Sequence, residues 1–451
     1  MEAVHTTSEK LNDRFNFSGI SRTVAYALIG IGIILSIAGY FLASNPAGDS
    51  HGGGHATVET HDQAVHPASD TPADEEGHGG GHLHHPVNKG TRLLSNILID
   101  SLYFLTIAMG AMFFLTIHQV GNAGWHTAIK RVPEAISSYL PVAAVGFVAL
   151  FFFLDHLFDW AYLHPGQDEL IDLKRAYLNN GFFIGRSIVF FGGWIGAALW
   201  LRKLSVSEDT DGGLNNFYRS QTISAIFIIF FAISYSLFSV DWVKSLEPHW
   251  FSTIFGVYIF AGSMVSSIVV TYLVILFLKS QGHMSYVNDS HMHDLGKYAF
   301  GFTVFWGYIW VAQYLLIWYA NIPEEGIYYV IRYRVEDEAY RGYASFFYLN
   351  IFLNFIIPFF VLMTRNAKRR AEVFIPVAVI MLYGHWHDLF LMVMPGAMQQ
   401  NQGIGIIEVG VFATFAGVFL LVVFNALSKA NLVPLKHPYL EESLHHTTGP
   451  V

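Results

Sequence analysis

The sequence predicts an all-α integral membrane protein with about ten transmembrane helices. Three observations carry this. Ten apolar segments recur along the 451 residues, each with the ~18 or more residues that a helix needs to cross about 30 Å of hydrocarbon. Hydrophobic residues form 53% of the chain and charged residues only 13%, roughly half the charged share of a soluble domain. The ionisable residues that do fall in the apolar segments are gathered at a few places, where a charge in hydrocarbon costs several kcal/mol and implies a purpose.

The elements follow in order. Residues 1–23 form a polar segment, expected on the cytoplasmic side. The first span, 24–42, reads as a retained helix, because the polar stretch before it is too long for a secretion signal. The connection 43–93 is rich in Gly and His, including His51, His55, His61, His66, His78, His82, His84 and His85. It has too few large apolar residues to bury a core. It suits either metal capture or wrapping of a partner, and its histidines lack ordered ligand spacing. Spans follow at 96–120, 138–155, 182–201 and 220–240, with Gly121 to Ser138 reading as a mildly amphipathic surface segment. Four more lie at 252–278, 297–320, 343–363 and 373–394. The stretch 323–342 mixes Glu324, Glu325, Arg332, Arg334, Glu336 and Arg341, as a docking surface or a solvated loop would. The last span, 405–427, leads to a tail at 429–451.

Orientation follows from loop cations. With the N-terminus inside, the inner segments carry sixteen Lys and Arg residues and the outer segments eight, so both termini are expected in the cytoplasm. The net charge of -9 argues against nucleic acid as a partner. The chain has no cysteine, so it cannot ligate an iron–sulfur cluster, attach haem through thioethers or form a disulfide. No metal site, covalent cofactor or catalytic residue is assigned: HExxH, P-loop and dinucleotide-binding patterns are absent from the sequence. His118 and His385 fall at opposite depths, which disfavours haem held between them.

The polar groups inside the spans are the functional candidates. His385-Trp386-His387-Asp388 lies in the outer half of the ninth span. His385 and Asp388 are three apart and share a helical face, while His387 points elsewhere. Such a pair can hold and pass a proton, and Glu408, early in the tenth span, is expected at similar depth. The alternative is a polar cluster that ties helices together. Asp241 ends the fifth span, and Asp155, His156 and Asp159 end the third, each beside a Trp suited to the interface. Asp155 and Asp159, four apart, would share a face. A quinone headgroup at this depth needs hydrogen-bond donors, a proton acceptor and aromatic walls; interfacial residues in water are the plainer reading. Arg186, about a turn inside the fourth span, is expected to pair with Asp155, Asp159 or Asp100. Gln313, Asn350 and Asn354 read as interhelical hydrogen-bonders. Gly256, Ala261, Gly262 and Ser263 read as small residues that permit close packing.

Several long stretches resemble one family. They are Val240-Asp241-Trp242-Val243-Lys244-Ser245-Leu246-Glu247-Pro248-His249-Trp250, running on to Tyr258; His293-Asp294-Leu295-Gly296-Lys297; and Gln313-Tyr314-Leu315-Leu316-Ile317-Trp318-Tyr319-Ala320-Asn321-Ile322-Pro323-Glu324-Glu325. They are similar to the NrfD-like, polysulfide reductase-type membrane subunits of bacterial alternative complex III, a quinol:electron acceptor oxidoreductase, and within it to the second of two related subunits. The resemblance covers about residues 90–430 and is strongest over 239–325.

It implies two four-helix bundles plus two peripheral helices, with the first bundle over 94–240, the second over 241–395 and the tenth helix over 396–428. It implies partners: multihaem cytochrome c subunits, a peripheral iron–sulfur subunit, a related NrfD-like membrane subunit and a terminal oxidase. Haem and iron–sulfur clusters would belong to those partners, and the ligand would be menaquinone or another quinone. It places quinone at the outer end of the first bundle, where Asp155, His156 and Asp159 would match and Arg186 departs from an expected acidic contact. The expected role is a subunit of the bacterial inner membrane, without redox cofactors of its own, that supports quinol oxidation and passes protons through His385, His387, Asp388, Glu408 and Asp241. A purely structural anchor and a secondary transporter are the competing readings.

Overall fold

The computed structural model describes residues 12–17, 19–43, 84–333, 342–399 and 403–448. The metal-capture and partner-wrapping readings of His51 to His82 lie outside the described residues, as do Arg334, Glu336 and Arg341. Among the described residues all regular structure is helical, and 10 helices are long and apolar enough to cross a membrane. They are α1 (Ile20–Leu42), α2 (Lys89–Val120), α3 (Arg131–His156), α4 (Asn180–Asp211), α5 (Leu214–Leu246), α6 (Phe255–Ser280), α7 (Asp289–Ala320), α8 (Tyr343–Leu362), α9 (Ala371–Met398) and α10 (Ile406–Leu427). The face reached by residues 12–17 and 428–448 is called the terminal face, and the other the far face.

Helix α2 is the spine, with 89% of its apolar window buried. It starts in a capping box, where Asn88 accepts from Thr91 N at 3.0 Å and Thr91 Oγ1 accepts from Asn88 N. It packs on α3, α5, α6, α9 and α10. Helices α2 to α5 form one four-helix bundle and α6 to α9 a second, while α1 and α10 pair along the outside.

Small residues set the close crossings, as expected where packing rather than hydrophobic exclusion drives association. A Cβ at Gly32 of α1 would meet Thr414 N of α10 at 2.5 Å. A Cβ at Gly110 of α2 would collide with the Ser263 carbonyl of α6.

Two proline positions show how freed carbonyls are recovered. Pro358 lies just after a π-turn at Phe352–Ile356, a widened register that absorbs the missing donor and turns Asn354 toward α9. Pro395 cannot donate to Leu391 O, and Arg332 Nε takes that place at 3.0 Å. Arg332 comes from the short helix Pro323–Tyr333, so the charged connection expected at 323–342 is in part a buried plug.

The segment from Gly121 to Ser138, read as a mildly amphipathic surface segment, is covered by other parts of the chain. Residues 126–137 are buried, and α3 begins at Arg131 rather than near residue 138. Its polar face meets charged partners on α4: Arg131 reaches Asp209 at 2.9 Å, and Arg202 reaches Glu134 at 2.8 Å. The tail covers it, with Ser443 Oγ accepting from Ala128 N at 2.9 Å and donating to Trp125 O at 2.6 Å.

Candidate functional site

The second bundle encloses a carboxyl group held by neutral donors. Asp388 of α9 is 5% exposed. Its Oδ1 accepts from Tyr258 Oη of α6 at 2.5 Å and from Asn350 Nδ2 of α8 at 2.7 Å. Asn350 Oδ1 in turn accepts from Asn354 Nδ2 at 2.6 Å, and Asn354 Nδ2 also reaches Gly384 O at 2.9 Å. Helix α8 thus delivers two amides to α9, Asn350 from before the π-turn and Asn354 from within it, and they are the interhelical hydrogen-bonders expected.

A small cavity lies on each side of Asp388. Both are about 20 Å³, room for one water molecule each. The first, toward the far face, is lined by Tyr258, Gln313, Tyr328, Tyr329, Arg332 and Asn350. The second, toward the bundle interior, is lined by Tyr103, Thr106, Gly262, Ser263, Ser266 and His385. Asp388, Tyr258 and Met392 border both. His385 Nε2 is buried without a protein partner, so a water in the second cavity would serve it. The close approach of Gly262, whose Cβ would stand 3.3 Å from His385 Nδ1, leaves the ring its space.

The far-side cavity ends at a closed polar plug. Arg332 is buried, with its guanidinium 3.5 Å above the Tyr328 ring and paired with Glu247. Tyr328 stacks on Trp250 with centroids 3.8 Å apart. Tyr329 Oη accepts from Gln313 Nε2 at 2.9 Å, and Gln313 Oε1 accepts from Ser252 at 2.9 Å. The Glu247 charge holds Arg332 in its ionised form against the burial that opposes it, so the net direction is upward. Burial pushes the phenols of Tyr328 and Tyr329 above their ordinary value.

The other sequence candidates lie apart from this site. His387 turns away, with Nε2 2.9 Å from Phe346 O. Glu408 borders neither cavity. It caps α10 by accepting from Gly405 N at 2.8 Å, takes two bonds from Arg92 at 2.8 and 2.9 Å, and accepts from Asn96 at 3.0 Å. The nearby carboxyl on α2 is Asp100, which accepts from Trp386 Nε1 at 2.7 Å.

The far end of the first bundle is closed on itself. Arg186 pairs with Asp241, through two bonds of 3.0 Å, rather than with Asp155, Asp159 or Asp100. It also donates to Tyr177 O at 3.0 Å and lies 3.8 Å from that ring. Trp242 Nε1 donates to Ser187, and Trp160 Nε1 to Ser245.

Asp155 and Asp159 do not share a face, because the chain leaves the helix at Phe158 (φ -121°, ψ 121°) and starts the short helix Asp159–Tyr162. Asp155 is exposed beside His156, 2.8 Å away. Asp159 is buried and accepts from His85 N at 2.9 Å, with the rings of His85 and His84 at 2.6 and 2.8 Å. Burial opposes the Asp159 charge, but the bonds from His84 and His85 outweigh it and hold the carboxyl below its ordinary range. The same hydrogen bond raises His84, against a smaller effect of burial.

Of the groups expected to meet a quinone headgroup, Arg186 and Asp159 are bonded within the chain, while Asp155 and His156 form an exposed pair. Among the described residues, no three His, Asp or Glu side chains are grouped to hold a metal ion.

Tyr258, Glu247, Tyr328, Tyr329 and the site role of Arg332 were not singled out from sequence. One signal was available: a proline four residues after Leu391 leaves a carbonyl that demands an outside donor. Comparison of the chain with known protein families and with curated proteins gives no match.

Proposed function

We propose that this multi-pass membrane protein is a proton-transferring membrane subunit of a respiratory quinol:electron acceptor oxidoreductase of the alternative complex III type. The observation that carries the reading is Asp388, a buried carboxyl bound by the neutral donors Tyr258 and Asn350 between two water-sized cavities. Ionisable groups inside membrane spans are costly and are kept for ion or proton movement.

The residues divide the work. Asp388 takes up and releases the proton at its carboxylate oxygens. Tyr258 Oη bridges the two cavities and reorients between them. His385 serves the inner cavity. Arg332, fixed by Glu247, seals the far-side cavity and sets its polarity. Asn350 and Asn354 hold the carboxyl in place. His387, Glu408 and Asp241 stand outside this relay as positioned and serve helix contacts. Quinol oxidation, with its menaquinone or other quinone, is assigned to a related NrfD-like partner. Haem and iron–sulfur clusters are assigned to cytochrome c and iron–sulfur partner subunits, and electrons leave to an acceptor such as a terminal oxidase. The bacterial inner membrane, with both termini cytoplasmic, is the location that the distribution of loop cations supports.

A purely structural anchor is the second reading, favoured by the self-contained Arg186–Asp241 and Arg92–Glu408 pairs. The deciding experiment is Asp388→Asn in the complex purified through a tag on this chain. The expected result is co-purified haem and intact assembly, with the ratio of protons released to quinol oxidised reduced. An unchanged ratio would refute the relay and leave the anchor. A purified chain with no haem-bearing partner would refute the respiratory assignment.

A further inference from the structure

A larger cavity adjoins the inner one at Tyr103, and its walls point to a lipid. It is a groove of about 1050 Å³ between α10 on one side and α6 and α9 on the other. Helix α10 presents Val409, Phe412, Ala416, Phe419 and Val423 as a single stripe along it. The seventeen residues from Glu408 to Phe424, sixteen helical rises, give that wall a length of about 24 Å.

Most of the remaining lining lies toward the terminal face. There α6 contributes Val270 to Gln281, and the chain before and into α1 contributes Phe15, Asn16, Gly19, Ile20, Ser21 and Val24. The middle is closed by Tyr383 and Trp386 of α9 and by Tyr103 of α2. The groove is half open to the side, within the membrane-spanning part of the molecule.

Left empty, both walls would lose their dispersion contacts. Water does not fill an apolar groove of this kind. Hydrocarbon from the bilayer does, and a concave seat touches a chain on several sides where a flat helix face touches it on one. The ends of the groove differ. At the far end Glu408 is already bound by Arg92, Asn96 and Gly405 N, so it offers a headgroup nothing. At the terminal-face mouth stand the exposed polar side chains of Asn16 and Gln281, and the exposed Arg22 follows the lining residue Ser21, whereas Arg14 is bonded to Asn431 at 3.0 Å. That end suits a negatively charged headgroup in the leaflet whose chains would lie against α6.

We propose that this groove is a specific site for an anionic phospholipid of the terminal-face leaflet, with its headgroup at Asn16, Gln281 and Arg22 and its acyl chains between α10 and α6–α9. The site is independent of the proton-transfer reading, and it fastens the peripheral α1–α10 pair to the second bundle.

The test is lipid analysis by mass spectrometry of the protein purified in mild detergent and washed extensively. About one phospholipid per chain, enriched in anionic headgroups, is expected in the parent. Ala416→Trp, which fills the groove, should lower retention about tenfold, and Arg22→Gln should retain phospholipid without the anionic preference. A photoreactive acyl-chain phospholipid in the unmodified protein gives a reading that needs no variant, with labelling expected over Phe412 to Val423. Retention of no lipid, retention of a prenyl lipid instead, full retention in Ala416→Trp, or labelling spread evenly over the outer helices would each overturn the proposal.

Discussion

Replacing Asp241 with Asn isolates what the Arg186–Asp241 pair contributes. Asp241 is fully buried and the Arg186 side chain is 9% exposed, with two bonds of 3.0 Å between them. Removing one partner of a buried pair costs about 3–5 kcal/mol, because the other charge is left uncompensated. Arg186 would keep its bond to Tyr177 O and its ring contacts with Tyr177 and Phe182 at 3.8 and 4.3 Å. The expected loss is therefore near the low end, about 3 kcal/mol. Arg186→Met strands a carboxylate that has fewer other partners, and should cost nearer 5 kcal/mol, at the upper end of about 3–5. The double variant Arg186→Met/Asp241→Leu removes both charges together and should return close to the parent, since apolar replacement of a whole buried pair is often neutral.

The assay is reversible unfolding of the purified chain in mixed micelles by rising SDS, with the four proteins forming a double-mutant cycle. If each single variant stayed within about 1 kcal/mol of the parent, the pair would behave like an exposed one, and the burial argument would be wrong. If the double variant lost the sum of the two single losses, the groups would not be acting on each other. Proton release in the assembled double variant adds a second reading. It should persist, because the pair lies in the first bundle, away from both cavities at Asp388. Its loss would return Asp241 to the proton path.

Three further outcomes are expected. Tyr258→Phe removes the hydroxyl that bridges the two cavities and should lower proton release per quinol as Asp388→Asn does, with stability changed by only about 1–3 kcal/mol; a normal ratio would take Tyr258 out of the relay. Gly110→Ala forces α2 off the Ser263 carbonyl of α6 and should cost about 1–3 kcal/mol in the same SDS assay, whereas no change would mean that this crossing is looser than it looks. The His84–Asp159 contact should be sensitive to pH on both sides. Asp159 is lowered below its ordinary 3.8, so its contribution is present above that value and lost as pH falls through the lowered one. His84 is raised above 6.5, so its contribution is complete below 6.5 and lost as pH rises through the raised value. Protection of residues 84–88 against hydrogen exchange, relative to the free-peptide rate at each pH, should therefore be greatest between those two ordinary values, and pH-independent protection would show that the segment is held by other contacts.

The spans were legible because each is a long apolar run, and hydrocarbon thickness sets its length whatever its neighbours are. Spacing within one helix was legible too: His385 and Asp388, three apart on α9, border one cavity. Azimuth and tertiary return were not. Arg186 and Asp241 were each visible as costly residues near one membrane face, but their pairing depends on how α4 and α5 rotate against each other. Glu408 was expected at the depth of the His385 group, and its partner turned out to be Arg92, a residue read only as a loop cation. The i, i+4 argument for Asp155 and Asp159 failed because it assumed a helix running through Asp159, whereas α3 ends at His156 and Phe158 is extended.

Arg332 was hidden most deeply. It lies in a charged connection that reads as a docking surface or a solvated loop, yet it is among the largest fully buried side chains. Its burial follows from Pro395, whose missing N–H leaves Leu391 O unsatisfied, and from Glu247, which supplies the counter-charge. The same constraint that makes span lengths readable, that every backbone polar group must be satisfied where water is scarce, also drew the connection inward. In a membrane protein, a proline late in a span is a reason to look for a distant donor, and here that donor closes the cavity next to the buried carboxyl.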